Sequence, residues 1–382
     1  MTETGYFPSS THPPLPPTPE DDRHTRLRLL RSRRVGVATY RRLLAEHGTA
    51  QNALDALPEV ARNAGVKDYA PCPVAVIEAE LKAGRAAGAF LLSETDADYP
   101  ALLRALDDAP PLLWARGRAA LLAQPALAVV GARNASSVGT RMAQALSRDL
   151  GAEGFTIVSG LARGIDAAAH TAALGTGTIA VLAGGVDVLY PAENAVLGDK
   201  IAETGLILSE APMGLQPMAR HFPARNRIIS GLAKATIVVE AAVKSGSLIT
   251  ARGALDQGRE VLAVPGTPLD ARAAGCNMLI RDGATLIRNA ADVMEALAPL
   301  AAPAPELPLG QHEAPTPPTR TLRETAALHS EILGRLGPAP VAEDQLIRDL
   351  GRAADEVGPV LVELELDGQI DRQPGGLLSR AV

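Results

Sequence analysis

The chain has 382 residues, 47% hydrophobic and 21% charged, which at roughly 100–200 residues per domain suits two or three domains with sizeable cores. Its 37 basic and 43 acidic residues leave a net charge of −6, so it is not a globally basic nucleic-acid binder. Two cysteines exclude a disulfide framework and lack metal-ligand neighbours at short spacing; no apolar run reaches the roughly 18 residues of a membrane helix.

Residues 1–22 read as a disordered tail, with six prolines between Pro8 and Pro19. They lack the basic-then-apolar order of a signal peptide, so a reduced, cytoplasmic protein without membrane insertion is expected. A first patterned unit, about 23–122, opens with LRLLRSRRVGVATYRRLLAEHG. Leu27, Leu30, Tyr40, Leu43 and Leu44 recur at helical spacing, and Gly36 separates two short helices. Residues 21–48 hold eight arginines against three acids. That pattern fits a helix pair touching a DNA backbone, and equally a small bundle with a solvated arginine face.

From about 125 to 298, strand and helix alternate. The runs LAVVGA (127–132), FTIVSG (155–160), TIAVLAGG (178–185), LILSE (206–210), ATIVVEA (235–241) and EVLAVPG (260–266) read as strands. Helices are expected over about 140–153 and 166–174. Continuous apolar runs, without alternation, imply strands covered on both faces, and right-handed crossovers then give an α/β doubly wound parallel sheet. Fifteen charges of each sign over 126–298 mean that any basic patch there comes from clustering in space. Residues 299–318, with seven prolines, read as an extended linker. In 319–382, helices over 324–336, 341–350 and 354–367 precede GQIDRQPGGLLSRA, the pattern of a winged helix. With seven arginines against eleven acids, this unit is acidic.

Doubly wound sheets bind ligands at the carboxyl ends of their strands. After the first strand come Gly131, Arg133, Ser136 and a helix, a turn suited to an anion, although the GxGxxG dinucleotide fingerprint is absent. The second strand ends in Ser159, Gly160, Arg163 and Asp166, with His170 one helical turn further on. This pair reads as a helix cap and a core histidine in preference to an acid–base couple. Gly184 and Gly185 end the third strand. HFPARNR then places Phe222, one of four phenylalanines, beside Arg220, Arg225, Asn226 and Arg227. That cluster suits phosphate plus base stacking, or else arginines tied to the strand-end carboxylates Glu210 and Glu240. Lys244, Ser245, Gly246, Ser247 and Thr250 form a second anion-cradle turn. Cys276 has no histidine near it in sequence and is read as structural.

SGLARGIDAAAH, GGVDVLYP, FPARNRIISGL, SGSLITARGALDQGREVLAVPG and GCNMLIRDGA, in this order, closely resemble the DNA processing protein A (DprA, or Smf) family. The likeness covers about 90–290, including YPALLRALDDAPPLLWARG. The N-terminal helices resemble that family's sterile-alpha-motif-like or helix-hairpin-helix-like domain, and the tail resembles its winged helix. The resemblance implies a helical domain over 23–90, a Rossmann-like DNA-binding core over 91–298, a linker over 299–318 and a winged helix over 319–382. It implies a single-stranded DNA-binding role without catalysis, cofactor or metal. Such a protein protects incoming DNA in natural transformation, loads the RecA recombinase and forms a homodimer. Carried over by motif, Arg133, Phe222, Arg225, Asn226, Arg227 and the stretch Ser245–Thr250 are its DNA-binding positions. There are departures: Ala132 stands where serine is usual, Ala192-Glu193 where lysine is common, and Cys276 where a threonine is common. Arg220 is the expected substitute for the missing lysine. The alternative is a Rossmann-like nucleotide phosphoribohydrolase, whose PGGxGTxxE signature is replaced here by SGSLITARGALD.

Overall fold

The computed structural model describes residues 19–301, 322–373 and 376–381. The chain forms two compact units that divide between residues 302 and 303. Most of the proline-rich tail and of the 299–318 linker lies outside the described residues.

The first unit opens with four helices, α1 (Pro19–Arg31), α2 (Val37–His47), α3 (Ala50–Asn63) and α4 (Val74–Ala86). Gly36 is the N-cap of α2, as its position between two helical patterns implies. Helix α1 begins inside the segment read as tail, and Glu20 and Asp22 complement the positive end of the helix.

Five of the eight arginines in the 21–48 stretch are tied to acids or carbonyls, whereas Arg33, Arg34 and Arg42 are exposed. Arg31 forks onto the buried Glu80, with Nη2 donating to Oε1 at 2.8 Å and Nε to Oε2 at 3.0 Å. Arg28 donates to the Cys72 carbonyl at 2.7 Å. Arg23 pairs with Asp96 at 2.7 Å, Arg26 with Asp22 at 2.6 Å, and Arg41 with Glu94 at 3.0 Å. Glu80 also accepts the indole N–H of Trp114 at 2.8 Å, so one buried carboxylate is shared by a helix and a strand. Leu27 of α1 packs in one cluster with Trp114, Leu112 and Ile207, which joins the helical domain to the sheet.

The sheet is built from β1 (Ala89–Ser93), β2 (Leu112–Gly117), β3 (Ala126–Val130), β4 (Thr156–Ser159), β5 (Thr178–Val181), β6 (Leu206–Ser209), β7 (Ala235–Val238), β8 (Glu260–Ala263) and β9 (Thr285–Leu286). Interleaved are α5 (Ala101–Arg104), α6 (Ser137–Ala152), α7 (Ile165–Ala173), α8 (Ala195–Thr204), α9 (His221–Leu232), α10 (Gly246–Asp256), α11 (Ala274–Arg281) and α12 (Ala290–Ala301). Helix α12 takes in Pro299 to Ala301, which composition alone assigned to the linker.

Strand order is β1-β2-β6-β5-β4-β3-β7-β8-β9. From β6 to β9 all pairings are parallel, and β2 joins β6 antiparallel, with β1 antiparallel to β2. All residues of β3 to β7 are buried, the physical counterpart of their uninterrupted apolar runs. Val130, Val158 and Val181 pack with Ile228 and Leu248 on one face, whereas Leu127, Val129 and Ile157 pack with Leu146 and Ile165 on the other. The order reverses at β3, flanked by β4 and β7, and this switch point positions the site.

The second unit holds α13 (Leu322–Arg335), β10 (Val341–Ala342), α14 (Glu343–Leu350), α15 (Ala354–Leu366), β11 (Ile370–Gln373) and β12 (Leu377–Arg380). Val341 and Ala342, expected to start a helix, instead form a short strand paired with β12. Leu328, Ile332, Leu346, Leu361, Ile370 and Leu378 close its core. Helix α15 carries Asp355, Glu356, Glu363 and Glu365 and no lysine or arginine. Arg372 is held between Glu343 and Glu365 at 2.5 and 3.0 Å.

Candidate functional site

At the carboxyl ends of β3 and β7 lies an open pocket of about 680 Å³. Its walls come from the loop after β3, the first turns of α9 and the turn that enters α10. Arg133 reaches over the Phe222 ring, its guanidinium carbon 5.0 Å from the ring centroid. Lys244 stands exposed across the pocket, and among the described residues neither Arg133 nor Lys244 forms an ion pair. Ser245 caps α10 and accepts the Ser247 N–H, and the two hydroxyl oxygens lie 2.6 Å apart. Gly246, Ser247 and Thr250 line the same wall, which presents the positive end of an 11-residue helix. Asn226 completes the lining from α9. Two free cations, an aromatic face and a helix N-terminus converge on one cleft, suited to a phosphodiester with an exposed base.

Several sequence candidates serve the fold or lie elsewhere. Arg225 lines the pocket but is only 5% exposed. Its Nη1 donates to the Gly160 carbonyl at 2.7 Å and to the Val181 carbonyl, and its Nε to Asn226 Oδ1 at 3.2 Å. It clamps the ends of β4 and β5 through Nη1 while lining the pocket. Burial lowers its affinity for a proton, to a pKa of about 10, against the opposing pull of Asp166. Gly160 is required here because any Cβ would sit 2.5 Å from that guanidinium. Arg227 turns the other way and pairs with Glu210 at 2.5 Å and Asp108 at 3.4 Å. The tied-arginine reading therefore holds for Arg227 with Glu210, but Arg225 takes carbonyls and not Glu240.

The turn after β3 is also corrected. Ser136 caps α6, and its N–H donates at 2.8 Å to Glu240 Oε2. That buried carboxylate fills the anion position at the α6 N-terminus, which leaves the α10 N-terminus as the one suited to an anion from outside. Ser159 is buried and donates to the Val129 carbonyl at 2.7 Å, a bond within the sheet. Gly185 is buried against the Asp187 and Pro212 turn, outside the pocket. Arg163 is exposed but paired with Glu193 at 3.2 Å, and Arg220 is an exposed cation at the start of α9 that does not line the pocket. Sequence reading passed over Tyr190, Glu193 and Arg272 as site residues; Tyr190 and Glu193 were visible only as parts of a strand-end loop.

Asp166 is not the cap of α7, a place taken by Gly164 at φ 73°. Its Oδ2 accepts the N–H groups of Gly160 and Ala162, at 3.1 and 3.3 Å, and so ties down the loop ahead of the helix. Burial raises the Asp166 carboxyl and Arg225 opposes that shift. His170 is the expected core histidine. Its Nε2 accepts the N–H of Leu161, a residue held at φ 55°, and its Nδ1 lies 2.7 Å from Thr178 Oγ1. Burial, reinforced by the Arg225 charge, lowers its pKa from 6.5 to about 3. The folded state thus refuses a proton that the unfolded chain accepts between those values. The stabilisation is complete above about pH 6.5 and is lost as pH falls toward 3, at most about 1.4 kcal/mol per pH unit. Asp166 acts in the opposite direction, so the difference between parent and variant isolates the imidazole. Between pH 7 and 5, thermal melts of H170Q should flatten relative to the parent; parallel curves would remove His170 from the balance. Cys276 is buried, its thiol pushed up to about 12 by desolvation, and is structural as read.

The DNA recombination-mediator protein A family model matches residues 90–298. The DprA-like N-terminal HHH domain model matches 20–83 and the DprA winged helix domain model 316–376. Protein Smf of Escherichia coli is 40% identical over 286 residues, 73% of this chain and 74% of that one. The X-ray structure of DNA processing protein A from Streptococcus pneumoniae superposes with a TM-score of 0.62 at 38% identity, covering 71% of this chain and 97% of that one. DNA processing protein A from Helicobacter pylori, a protein with a single-stranded DNA binding mode, superposes with a TM-score of 0.51 at 31% identity, covering 55% and 95%. Three models in sequence order, on a sheet with its open pocket at the switch point, place the chain in the DNA recombination-mediator protein A family.

Proposed function

We propose that this protein binds single-stranded DNA in the pocket at the β3–β7 switch point, and that it protects incoming strands in natural transformation and loads RecA onto them. The observation that carries the binding is the unpaired Arg133 stacked on Phe222 opposite Lys244 and the α10 N-terminus. A single strand offers phosphates and bare base faces together, and a duplex hides the latter. The family membership and the Helicobacter pylori relative support the same ligand. The role is one of binding and not catalysis. Of the carboxylates nearest the cleft, Asp166 is committed to two backbone N–H groups and Glu240 to the α6 N-terminus, which argues against a phosphoribohydrolase. A strand longer than one pocket needs a continued track, which a homodimer supplies.

The test is a competition titration of a single strand against a duplex of equal length over a series of salt concentrations. Single-strand preference with a log–log salt slope of about −0.7 per phosphate contact is expected. Equal or tighter duplex binding, or release of base from nucleoside monophosphates, would overturn the reading. The acidic α15 is unsuited to a groove, so removing residues 319–382 should leave single-strand affinity within about threefold, because phosphate neutralisation dominates binding. A tenfold loss on truncation would assign the winged helix to the DNA site.

A further inference from the structure

Beside the main pocket, across the wall formed by Arg133 and Phe222, lies a second cavity of about 230 Å³. Arg133 and Phe222 line both. The far side of the smaller cavity is made by Tyr190, Pro191 and Glu193, and its rim by Arg163. Tyr190 is 50% exposed, unusual for one of ten aromatic side chains in a chain that buries Tyr40, Tyr99 and Trp114. Its ring meets Phe222 at a centroid distance of 6.1 Å and an interplanar angle of 51°. The two rings form an open corner in which a flat heterocycle would stack on one and meet the other edge-on. The Tyr190–Asn194 turn is fixed, since Asn194 Nδ2 donates to the Leu161 carbonyl at 2.9 Å.

At the rim, Arg163 Nε lies 3.2 Å from Glu193 Oε1, with both side chains more than half exposed. An ion pair this open contributes little stability and yields readily to a better anion. A phosphodiester is such an anion, and Arg133, which lines both cavities, links this rim to the main pocket.

We propose that the Tyr190–Phe222 corner is a second base-accepting subsite for the same strand, with Arg163 taking the adjoining phosphate and Glu193 competing for Arg163 as a built-in acidic brake. The proposal rests on the single-strand reading of the main pocket. It assigns Tyr190 to base stacking and makes Glu193 the residue that limits affinity.

The experiment titrates full-length parent, Y190A, Y190F, E193Q and R133A with an oligothymidylate and with an equally long strand whose bases are replaced by abasic sites. Y190A should weaken binding of the base-bearing strand by about 5- to 30-fold, and that of the abasic strand by less than about twofold, because stacking requires a base. Y190F should bind like the parent. E193Q should tighten both strands by about three- to fivefold and steepen the salt slope, since Arg163 is freed for phosphate. Circular dichroism confirms the fold of each variant, all of them changed at exposed positions. Parent-like binding by Y190A and E193Q, with R133A impaired, would overturn the subsite and leave the main pocket standing. A parent that fails to bind either strand would overturn both.

Discussion

Replacing Arg225 by methionine should destabilise the first unit by about 3–5 kcal/mol, because it strips a buried charge from a site where Asp166 is left without its cation. The guanidinium supports two strand ends at once, through the carbonyls of Gly160 and Val181, and its Cζ lies 5.9 Å from the Phe222 ring centroid. Lysine should not restore the parent, since a single ammonium cannot present the planar fork that reaches both carbonyls and Asn226. Urea unfolding of R225M and R225K, followed by far-ultraviolet circular dichroism, reads the effect. A variant that unfolds at the parent midpoint yet has lost strand binding would show that Arg225 faces the ligand and not the sheet.

The second large effect concerns Arg133. R133A should weaken single-strand binding by about 1–3 kcal/mol with little dependence on base sequence. It should also reduce the salt slope by about 0.7, the share of one released counterion contact on a single strand. F222A should cost a similar amount with the slope nearly unchanged, because stacking releases no ions. Neither side chain carries the sheet: Arg133 is exposed and makes no ion pair among the described residues, and Phe222 lies in the first turn of α9. Both variants should therefore melt close to the parent. A folded R133A that binds like the parent would move the site elsewhere.

The parallel sheet was legible because buried two-sided strands leave an unmistakable trace: ALAVV, TIVS, TIAV and ATIV are apolar or small throughout. The antiparallel edge was not. AFLLS and LLWARG carry partly exposed residues, adjoin proline and acidic turns, and sit in a sheet order fixed only by the fold, as β2 pairs with β6 some ninety residues on. The position of the pocket followed from strand ends, and Arg133, Phe222 and Ser245 could be placed there by motif alone. What sequence could not resolve was direction. Arg225 and Arg227 stand two apart on a helix and so point to different sides, one into the sheet and one to Glu210. The arginines of α1 show the same difficulty, since the partners of Arg31, Glu80 and the Glu210 carbonyl, lie 49 and 179 residues away. Nor does spacing reveal that Glu240 of the strand-end run occupies the α6 N-terminus ahead of any ligand.

On the proposed function, a single strand lies in the switch-point pocket, across Phe222. A strand carrying one 5-iododeoxyuridine, irradiated in complex with the full chain and analysed by peptide mass spectrometry, tests it most directly. The aromatic side chains of the pocket, Phe222 with Tyr190 beside it, should carry the adduct, and excess unlabelled single strand should suppress it. Adducts confined to the α1–α4 helices or to the winged-helix unit, with residues 190–222 unmodified, would place the strand outside the switch-point pocket.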